Sequence, residues 1–229
     1  MNTIRFFRIF ALLASAILLT SASAATKADL DEAMSHDGLS KITVKDIDLA
    51  FARPGATLAG YNKIKLEPIY VAFSKSWDPK RTGSNIKLGN TERDKIKTNV
   101  ATLVNDEFTK ELQKKGGYQI VNEAGPDVLT VKISIVNLYV NAPDVQSAGR
   151  SHVYTVSAGE MTLFMELFDS ETGQVLARVV DRREGRGAGG NMMTLGGSVQ
   201  NAAEASDIAS GWARILRKGL DKAHGIGKK

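Results

Sequence analysis

The chain has 229 residues, of which 43% are hydrophobic and 24% charged, and it contains no cysteine. This length is enough for one sizeable domain, and the lack of thiols excludes disulfides, thiolate metal sites and lipid attachment at a cysteine. A formal net charge of +5 is too small to indicate a nucleic-acid-binding protein.

The first 24 residues have the composition of a bacterial export signal. Arg5 and Arg8 precede the apolar run IFALLASAILL, and small residues follow it in SASA. This order is typical of a secretory signal peptide, so we expect cleavage after Ala24. The apolar run is shorter than the about 20 residues that span a bilayer. We therefore expect a mature chain without a transmembrane anchor, in the periplasm or peripheral to the outer membrane.

Residues 25–60 are polar and contain the turn-rich stretch RPGATLAG, so we expect little regular structure there. A single α+β domain is expected over residues 61–224, followed by a disordered tail at residues 225–229. The first predicted strand covers residues 61–73. Pro68 cannot donate a ladder hydrogen bond, which predicts an edge position or a break.

The clearest predicted helix begins at Thr91. Thr91 and Asp94 resemble a capping box, and Gly116 and Gly117 are expected to end the helix. Its apolar residues recur at helical spacing, namely Ile96, Val100, Leu103, Val104, Phe108 and Leu112. A short strand at residues 118–121 and a long alternating strand at residues 128–140 follow.

The stretch GEMTLFMELFDSETGQVLARVVDRREGRGAGG, residues 159–190, predicts a hairpin with apolar residues at odd positions of both arms. Odd positions must then pair with odd ones, which places Glu166 opposite Arg178 and Thr162 opposite Arg182. We expect a three-residue loop over residues 171–173, with Gly173 left-handed in a type I turn followed by a bulge.

The charges of this hairpin predict a solvated sheet face. We interpret Glu160, Glu166 and Asp181 as part of that face, with cross-strand pairs to arginine, and not as an acid–base pair. The same alternation that buries the apolar stripe leaves the charges in water.

The last predicted element is a helix over residues 203–223. Its apolar stripe comprises Ile208, Trp212, Ile215, Leu216 and Leu220, and its C-terminal half carries Arg214, Arg217, Lys218 and Lys222. These cations suit the negative end of the helix dipole. The order of elements predicts a two-layer α+β sandwich. We expect a mostly antiparallel sheet of four to five strands, with both amphipathic helices on one face and the first strand able to join in parallel.

No catalytic, cofactor or metal site is predicted. Gly185-x-Gly187-x-x-Gly190 lacks the helix that a dinucleotide fingerprint needs, and Ser84-x-x-Lys87 lacks the partner motifs of penicillin-interacting enzymes. The histidines, at positions 36, 152 and 224, are scattered.

Residues 75–97 are the basic part of the chain. Lys75, Lys80, Arg81 and Lys87 are candidate contacts for an anionic envelope component, such as lipid phosphates or a cell-wall polymer, or for an envelope protein. A solvated surface is the plainer interpretation. The glycine-rich residues 185–197 are a second candidate contact.

Three stretches and the end of the last helix together resemble the domain-of-unknown-function family 3313. They are residues 37–77, residues 118–138, residues 159–183 and GWARILRKGLD, so the resemblance spans residues 37–221. It implies kinship with bacterial lipoproteins that have no assigned reaction, and it transfers no site residues. SASAATK stands where a lipid-modified cysteine would be, so export is implied without a lipid anchor.

These observations predict an exported, non-enzymatic accessory or binding protein of the bacterial envelope, without cofactor and without nucleic acid as a partner. A periplasmic carrier of a small ligand or lipid is the alternative, and an envelope hydrolase is a third hypothesis.

Overall fold

The computed structural model describes residues 32, 34–77, 89–140, 158–185 and 198–226. The chain divides after residue 36, and all of the following elements belong to the unit that begins at residue 37. In chain order they are β1 (Ser40–Ile42), β2 (Leu49–Ala52), β3 (Lys63–Leu66), β4 (Tyr70–Phe73), α1 (Asn90–Gln113), β5 (Gln119–Ile120), β6 (Val128–Val140), β7 (Ala158–Asp169), β8 (Val175–Glu184) and α2 (Ser198–Ala223).

The strands of the described ranges form one mixed sheet. Its order is β1-β2-β8-β7-β6-β3-β5, and β4 also pairs with β6. Neighbours from β1 to β6 along this order are antiparallel, whereas β3 and β4 run parallel to β6 and β5 runs parallel to β3. The α+β class agrees with the prediction, but the eight-stranded sheet is larger and more mixed than the four to five strands expected.

The segment before residue 61 is more regular than expected. β1 and β2 form an antiparallel pair, and β2 continues the sheet along β8, with Leu49 opposite Val180 and Ala52 opposite Ala177. Strands of three and four residues are too short to show alternation. In β2, moreover, three successive residues are buried, so buried and exposed residues do not alternate along this strand.

Pro68 divides the first predicted strand in two. β3 ends at Leu66, β4 begins at Tyr70, and both lie along β6. The interruption follows from the missing N–H of proline. It confirms the predicted break.

The hairpin of β7 and β8 has the predicted register, including Glu166 opposite Arg178 and Thr162 opposite Arg182. Its loop is one residue longer than predicted. The N–H of Asp169 donates to the carbonyl of Gln174 at 3.0 Å, and this bond encloses the four loop residues 170–173. Gly173 has φ 68°, the left-handed conformation that was predicted.

A bulge restores the register beyond this longer loop. Phe168 faces Val175, whereas Leu167 faces Ala177, so Leu176 is the extra residue on β8. Four loop residues alone would have moved the apolar stripes of the two arms out of step.

Both helices contribute to one hydrophobic core on one face of the sheet. α1 has Gly89 at its N-cap without a side-chain cap, so the predicted capping box of Thr91 and Asp94 is absent, and Asp94 instead pairs with Lys97 at 3.2 Å. α2 begins five residues earlier than predicted, at Ser198. The core combines odd positions of β6 and β7 with the helix stripes, namely Leu129, Val131, Ile133, Met161, Leu163, Ile96, Val100, Val104, Phe108, Leu112, Ile208, Trp212, Leu216 and Leu220.

Candidate functional site

Arg178 lies in β8 on the sheet face opposite the helical core. Glu166 is directly across from it on β7, and Arg178 Nε donates to Glu166 Oε1 at 2.8 Å. Arg178 Nη2 donates to Oδ2 of Asp37 at 3.0 Å. The side chains of Arg178 and Glu166 are only 3% and 9% exposed, while that of Asp37 is 47% exposed. The arrangement is therefore a buried ion pair extended by a half-exposed carboxylate.

The burial of Glu166 and Arg178 shows that the predicted solvated face is wrong at this position. β2 widens the sheet beside β8 and places Phe51, which is 1% exposed, opposite Arg178. Asp37 then reaches Arg178 from the segment before β1. Alternation assigns a side chain to a face of a sheet, but it does not show whether another segment of the chain lies against it.

Asp181 lies on the other face of the sheet, against α2. Its Oδ2 accepts hydrogen bonds from Trp212 Nε1 at 2.7 Å and from Arg183 Nε at 2.8 Å, and its Oδ1 accepts one from the N–H of Asp48 at 3.0 Å. Asp181 is 3% exposed, so its assignment to a solvated face is also wrong. Its odd number, shared with its partner Leu163, already placed it on the apolar face.

The three buried charged residues of the hairpin do not converge on one site. Glu166 and Arg178 bind each other on one face, and Asp181 binds an indole on the other. A general acid or base needs a proton-transferring atom aimed at a substrate. In Arg178 and Asp181, the polar atoms named above are instead used to hold segments of the protein together.

The solvated face is found further along the hairpin. Arg182 bonds Glu160 at 2.7 Å and Glu184 at 3.1 Å, and its side chain is 56% exposed. Hydrogen bonding to Glu160 raises the pKa of Arg182, so the guanidinium stays charged. The hydroxyl of Thr162, opposite Arg182, is buried and has no hydrogen-bond partner in the part of the chain described.

A second polar cluster joins the ends of the two helices to the sheet. Tyr118, just before β5, donates from its hydroxyl to Asp221 of α2 at 3.0 Å, and Arg217 also donates to Asp221, at 3.3 Å. His224 Nε2 lies 3.1 Å from the carbonyl of Tyr61 and must be the donor, because a carbonyl only accepts. Burial, and then the bond to Asp221, raises the pKa of Tyr118.

Arg217 also caps α1. Its Nη1 lies 2.7 to 3.1 Å from the carbonyl oxygens of Glu111, Leu112 and Lys114, which a helix leaves unpaired at its C-terminus. Gly117 makes this approach possible, since a Cβ there would collide with the guanidinium of Arg217 and with the carbonyl of Leu112. α1 and α2 therefore end side by side. The sequence showed only a surplus of cations near the end of α2, not this role.

A third link connects the start of β3 to the hairpin loop. The hydroxyl of Tyr61 donates to Asp169 Oδ2 at 2.9 Å, while Asp169 Oδ1 accepts from both the hydroxyl and the N–H of Thr172 at 2.7 Å. The bonds from Thr172 lower the pKa of Asp169. Burial, and then the bond to Asp169, raises the pKa of Tyr61 to about 12.

Of the predicted partner contacts, only Lys75 is described. It is exposed in the turn after β4, and Lys80, Arg81 and Lys87 lie outside the described residues. In the neighbouring part of this basic region, Arg93 stacks over Trp77 at 5.3 Å and Lys97 pairs with Asp94. Residues 186–197, with most of the glycine-rich stretch, also lie outside.

Neither a metal cluster nor a membrane span occurs in the described ranges. No group of three or more potential ligands from histidine, cysteine, aspartate and glutamate is found there. Within the same ranges, neither helix has the length and apolarity that a membrane crossing requires.

The comparisons with known proteins identify a family. The family profile described as Protein of unknown function (DUF3313) matches residues 32–216, and curated proteins give no match. Among solved structures, the PelC L103M dodecamer from Paraburkholderia phytofirmans is 11% identical, with a TM-score of 0.38 over 73% of this chain and 95% of that one. Protein XCC0632 from Xanthomonas campestris is 11% identical, with a TM-score of 0.34 over 76% and 91%.

Proposed function

Because the chain belongs to the DUF3313 family of proteins of unknown function, we propose, from its own residues, that it is an exported, non-enzymatic accessory protein that binds a partner in the bacterial envelope. The non-enzymatic part of this proposal rests on one observation, namely that the buried charged residues bind other groups of the fold. Arg178, Glu166 and Asp181 are the charged residues buried in the described chain, and each has a partner within the fold.

The pattern of these bonds supports a structural role over acid–base chemistry. A buried ion pair whose partners come from different strands fixes their relative position, and Asp181 fixes α2 on the sheet through the indole of Trp212. Asp37 extends the ion pair to a segment 141 positions away from Arg178 in the sequence. A binding protein needs a rigid scaffold of this kind, with its contacts on the outside.

Export is supported by the N-terminal sequence. The basic start with Arg5 and Arg8, the apolar run and the small residues before position 25 form the order that signal peptidase recognises. The proposal therefore places the mature chain, cleaved after Ala24, in the periplasm.

The proposed contact is the basic region around Lys75, Lys80, Arg81 and Lys87. Lys75 is exposed in the turn that follows β4, as a partner contact must be. Positive charge of this kind favours an anionic envelope component or an acidic face of an envelope protein.

Crosslinking in intact host cells tests the proposal. The wild-type chain is expected in the periplasmic fraction, crosslinked to an envelope component. Lys80→Glu/Arg81→Glu is expected to lose that crosslink. The control Lys45→Glu/Lys110→Glu, with the same change in charge at two exposed lysines, is expected to keep it. Retention of the chain in the cytoplasm would refute export, and equal crosslinking by both variants would refute the assigned contact.

A further inference from the structure

Three exposed cations lie along the outer face of α2. Arg214, Lys218 and Lys222 are four residues apart, so they project from the same side of the helix. The other sides are occupied, since Arg217 reaches α1 and Leu220 is buried in the core. Over the described ranges, none of the three cations has a carboxylate partner.

The end of α2 carries an exposed apolar side chain, that of Ile226. Gly225 has φ 71° and donates to the carbonyl of Lys222 at 3.1 Å, and Ile226 donates to the carbonyl of Asp221 at 2.8 Å. In this type of helix end, the residue after the glycine usually packs on an apolar residue of the last turn. Here one of the positions it could meet is Asp221, which is engaged with other polar side chains. Ile226 is left 62% exposed.

The end of α1 adds further positive charge. Because Arg217 bonds the last carbonyls of α1, the C-termini of the two helices are adjacent. Lys115 is exposed there, and so is Lys114, which pairs with Glu111 at 3.4 Å. One end of the helical layer is therefore basic on both helices, with an exposed isoleucine at the tip of one of them.

Neutralisation of the helix dipole explains only part of this arrangement. That effect is confined to the last turn of a helix. It accounts for Lys222, whereas Arg214 lies more than two turns before the end of α2. Neutralisation of the helix dipole also does not explain why Ile226, in a hydrogen-bonded turn, is exposed to solvent.

We propose that the C-terminal half of α2, with Ile226, docks on an anionic phospholipid surface. Arg214, Lys218 and Lys222 span about 12 Å along the helix axis, so they can contact neighbouring head groups at the same time. Ile226 adds an apolar contact at the boundary between head groups and acyl chains. The basic row is complementary to lipid phosphates, and the exposed aliphatic side chain of Ile226 favours a membrane over a soluble acidic protein. That the membrane is one of the bacterial envelope rests on the proposed function.

Vesicle binding by the purified protein tests the inference. The protein is expected to bind vesicles of phosphatidylcholine with an equal share of phosphatidylglycerol, to bind pure phosphatidylcholine vesicles much more weakly, and to lose affinity as salt is added. Lys218→Gln/Lys222→Gln is expected to lower the affinity roughly 10- to 30-fold at low salt. Ile226→Ser is expected to weaken binding at low and high salt alike, and Ile226→Leu to restore it.

Lys45→Gln/Lys132→Gln is the matched control, because both lysines are exposed and lie outside the basic residues 75–97 and away from the end of α2, Lys132 on the sheet face opposite the helices, and the change in net charge is identical. It is expected to change the affinity less than about threefold. Circular dichroism of each variant shows that the fold is kept. Equal losses in the two double variants, equal binding to both kinds of vesicle, or no binding by the wild type would overturn the inference. Because the assay uses purified protein, its outcome is independent of whether the chain is exported.

Discussion

Arg178 and Arg182 lie on the same face of β8, four residues apart, and each binds carboxylates. Their surroundings differ, since the side chain of Arg178 is 3% exposed and that of Arg182 is 56% exposed. An exposed ion pair contributes about 0–1 kcal/mol. Loss of one partner from a buried pair costs about 3–5 kcal/mol, because the other charge stays buried and unpaired.

We therefore expect Arg178→Met to lower the free energy of unfolding by about 3–5 kcal/mol, since it leaves Glu166 without its cation. Arg182→Met, the matched change at the exposed site, should cost about 0–1 kcal/mol. Arg178→Met/Glu166→Leu should recover most of the loss. Chemical denaturation of the wild type and the three variants measures these differences. Additive losses in the double variant would show that the two side chains are not coupled.

At the scale of the element, two glycines share open surroundings but differ in backbone conformation. Nothing lies within 4 Å of a Cβ added at Gly173, in the hairpin loop, or at Gly219, in α2. Gly173 has φ 68°, which an alanine adopts only at a cost, whereas a helix favours alanine over glycine.

Opposite effects are therefore expected from the same substitution. Gly173→Ala should destabilise the protein by about 1–2 kcal/mol, and Gly219→Ala should stabilise it by about 0.5–1 kcal/mol. Thermal unfolding followed by circular dichroism measures both shifts in Tm. Shifts of the same sign would mean that the loop does not require the left-handed conformation.

Long periodic elements could be predicted from the sequence because they carry their own pattern. β6 has the predicted bounds, Val128–Val140, and the predicted apolar stripe of α1 is buried except for Leu103, which is half-buried. The hairpin register follows from the parity of its apolar positions. β1 and β2 could not be found in this way, because elements of three and four residues hold too few positions to show a period.

Burial of the charges was less predictable than their register. Asp37 meets Arg178 across 141 positions of sequence, a contact that no local pattern contains. The position of Asp181 was predictable, since its odd number assigns it to the core face and a buried Trp212 needs an acceptor for its indole N–H. Local sequence thus predicts the direction of a side chain better than its neighbours.

At the scale of the whole molecule, polar links join segments that lie far apart in the chain. Arg178 with Asp37, Tyr61 with Asp169, and Tyr118 with Asp221 connect residues 141, 108 and 103 positions apart. The apolar core lies under the helices, whereas these links fasten the N-terminal strands, the hairpin loop and the end of α2. The fold raises the pKa of Tyr61 and Tyr118 and lowers the pKa of Asp169, so the stability contributed by the two tyrosine links depends on pH.

The link between Tyr61 and Asp169 gives a prediction at alkaline pH. The folded protein raises the pKa of Tyr61 to about 12, against about 10 in the unfolded chain. The proton of Tyr61 thus stabilises the fold fully below pH 10, and this contribution is lost as the pH rises through about 12. Tyr61→Phe should therefore lower the free energy of unfolding at pH 8 and reduce its decline between pH 10 and 12. Urea denaturation at each pH measures both effects. Tyr70→Phe, at a side chain that is 58% exposed, controls for the loss of a phenol. If the free energy of unfolding of Tyr61→Phe declined between pH 10 and 12 as much as that of the wild type, the stabilising role of this link would be excluded.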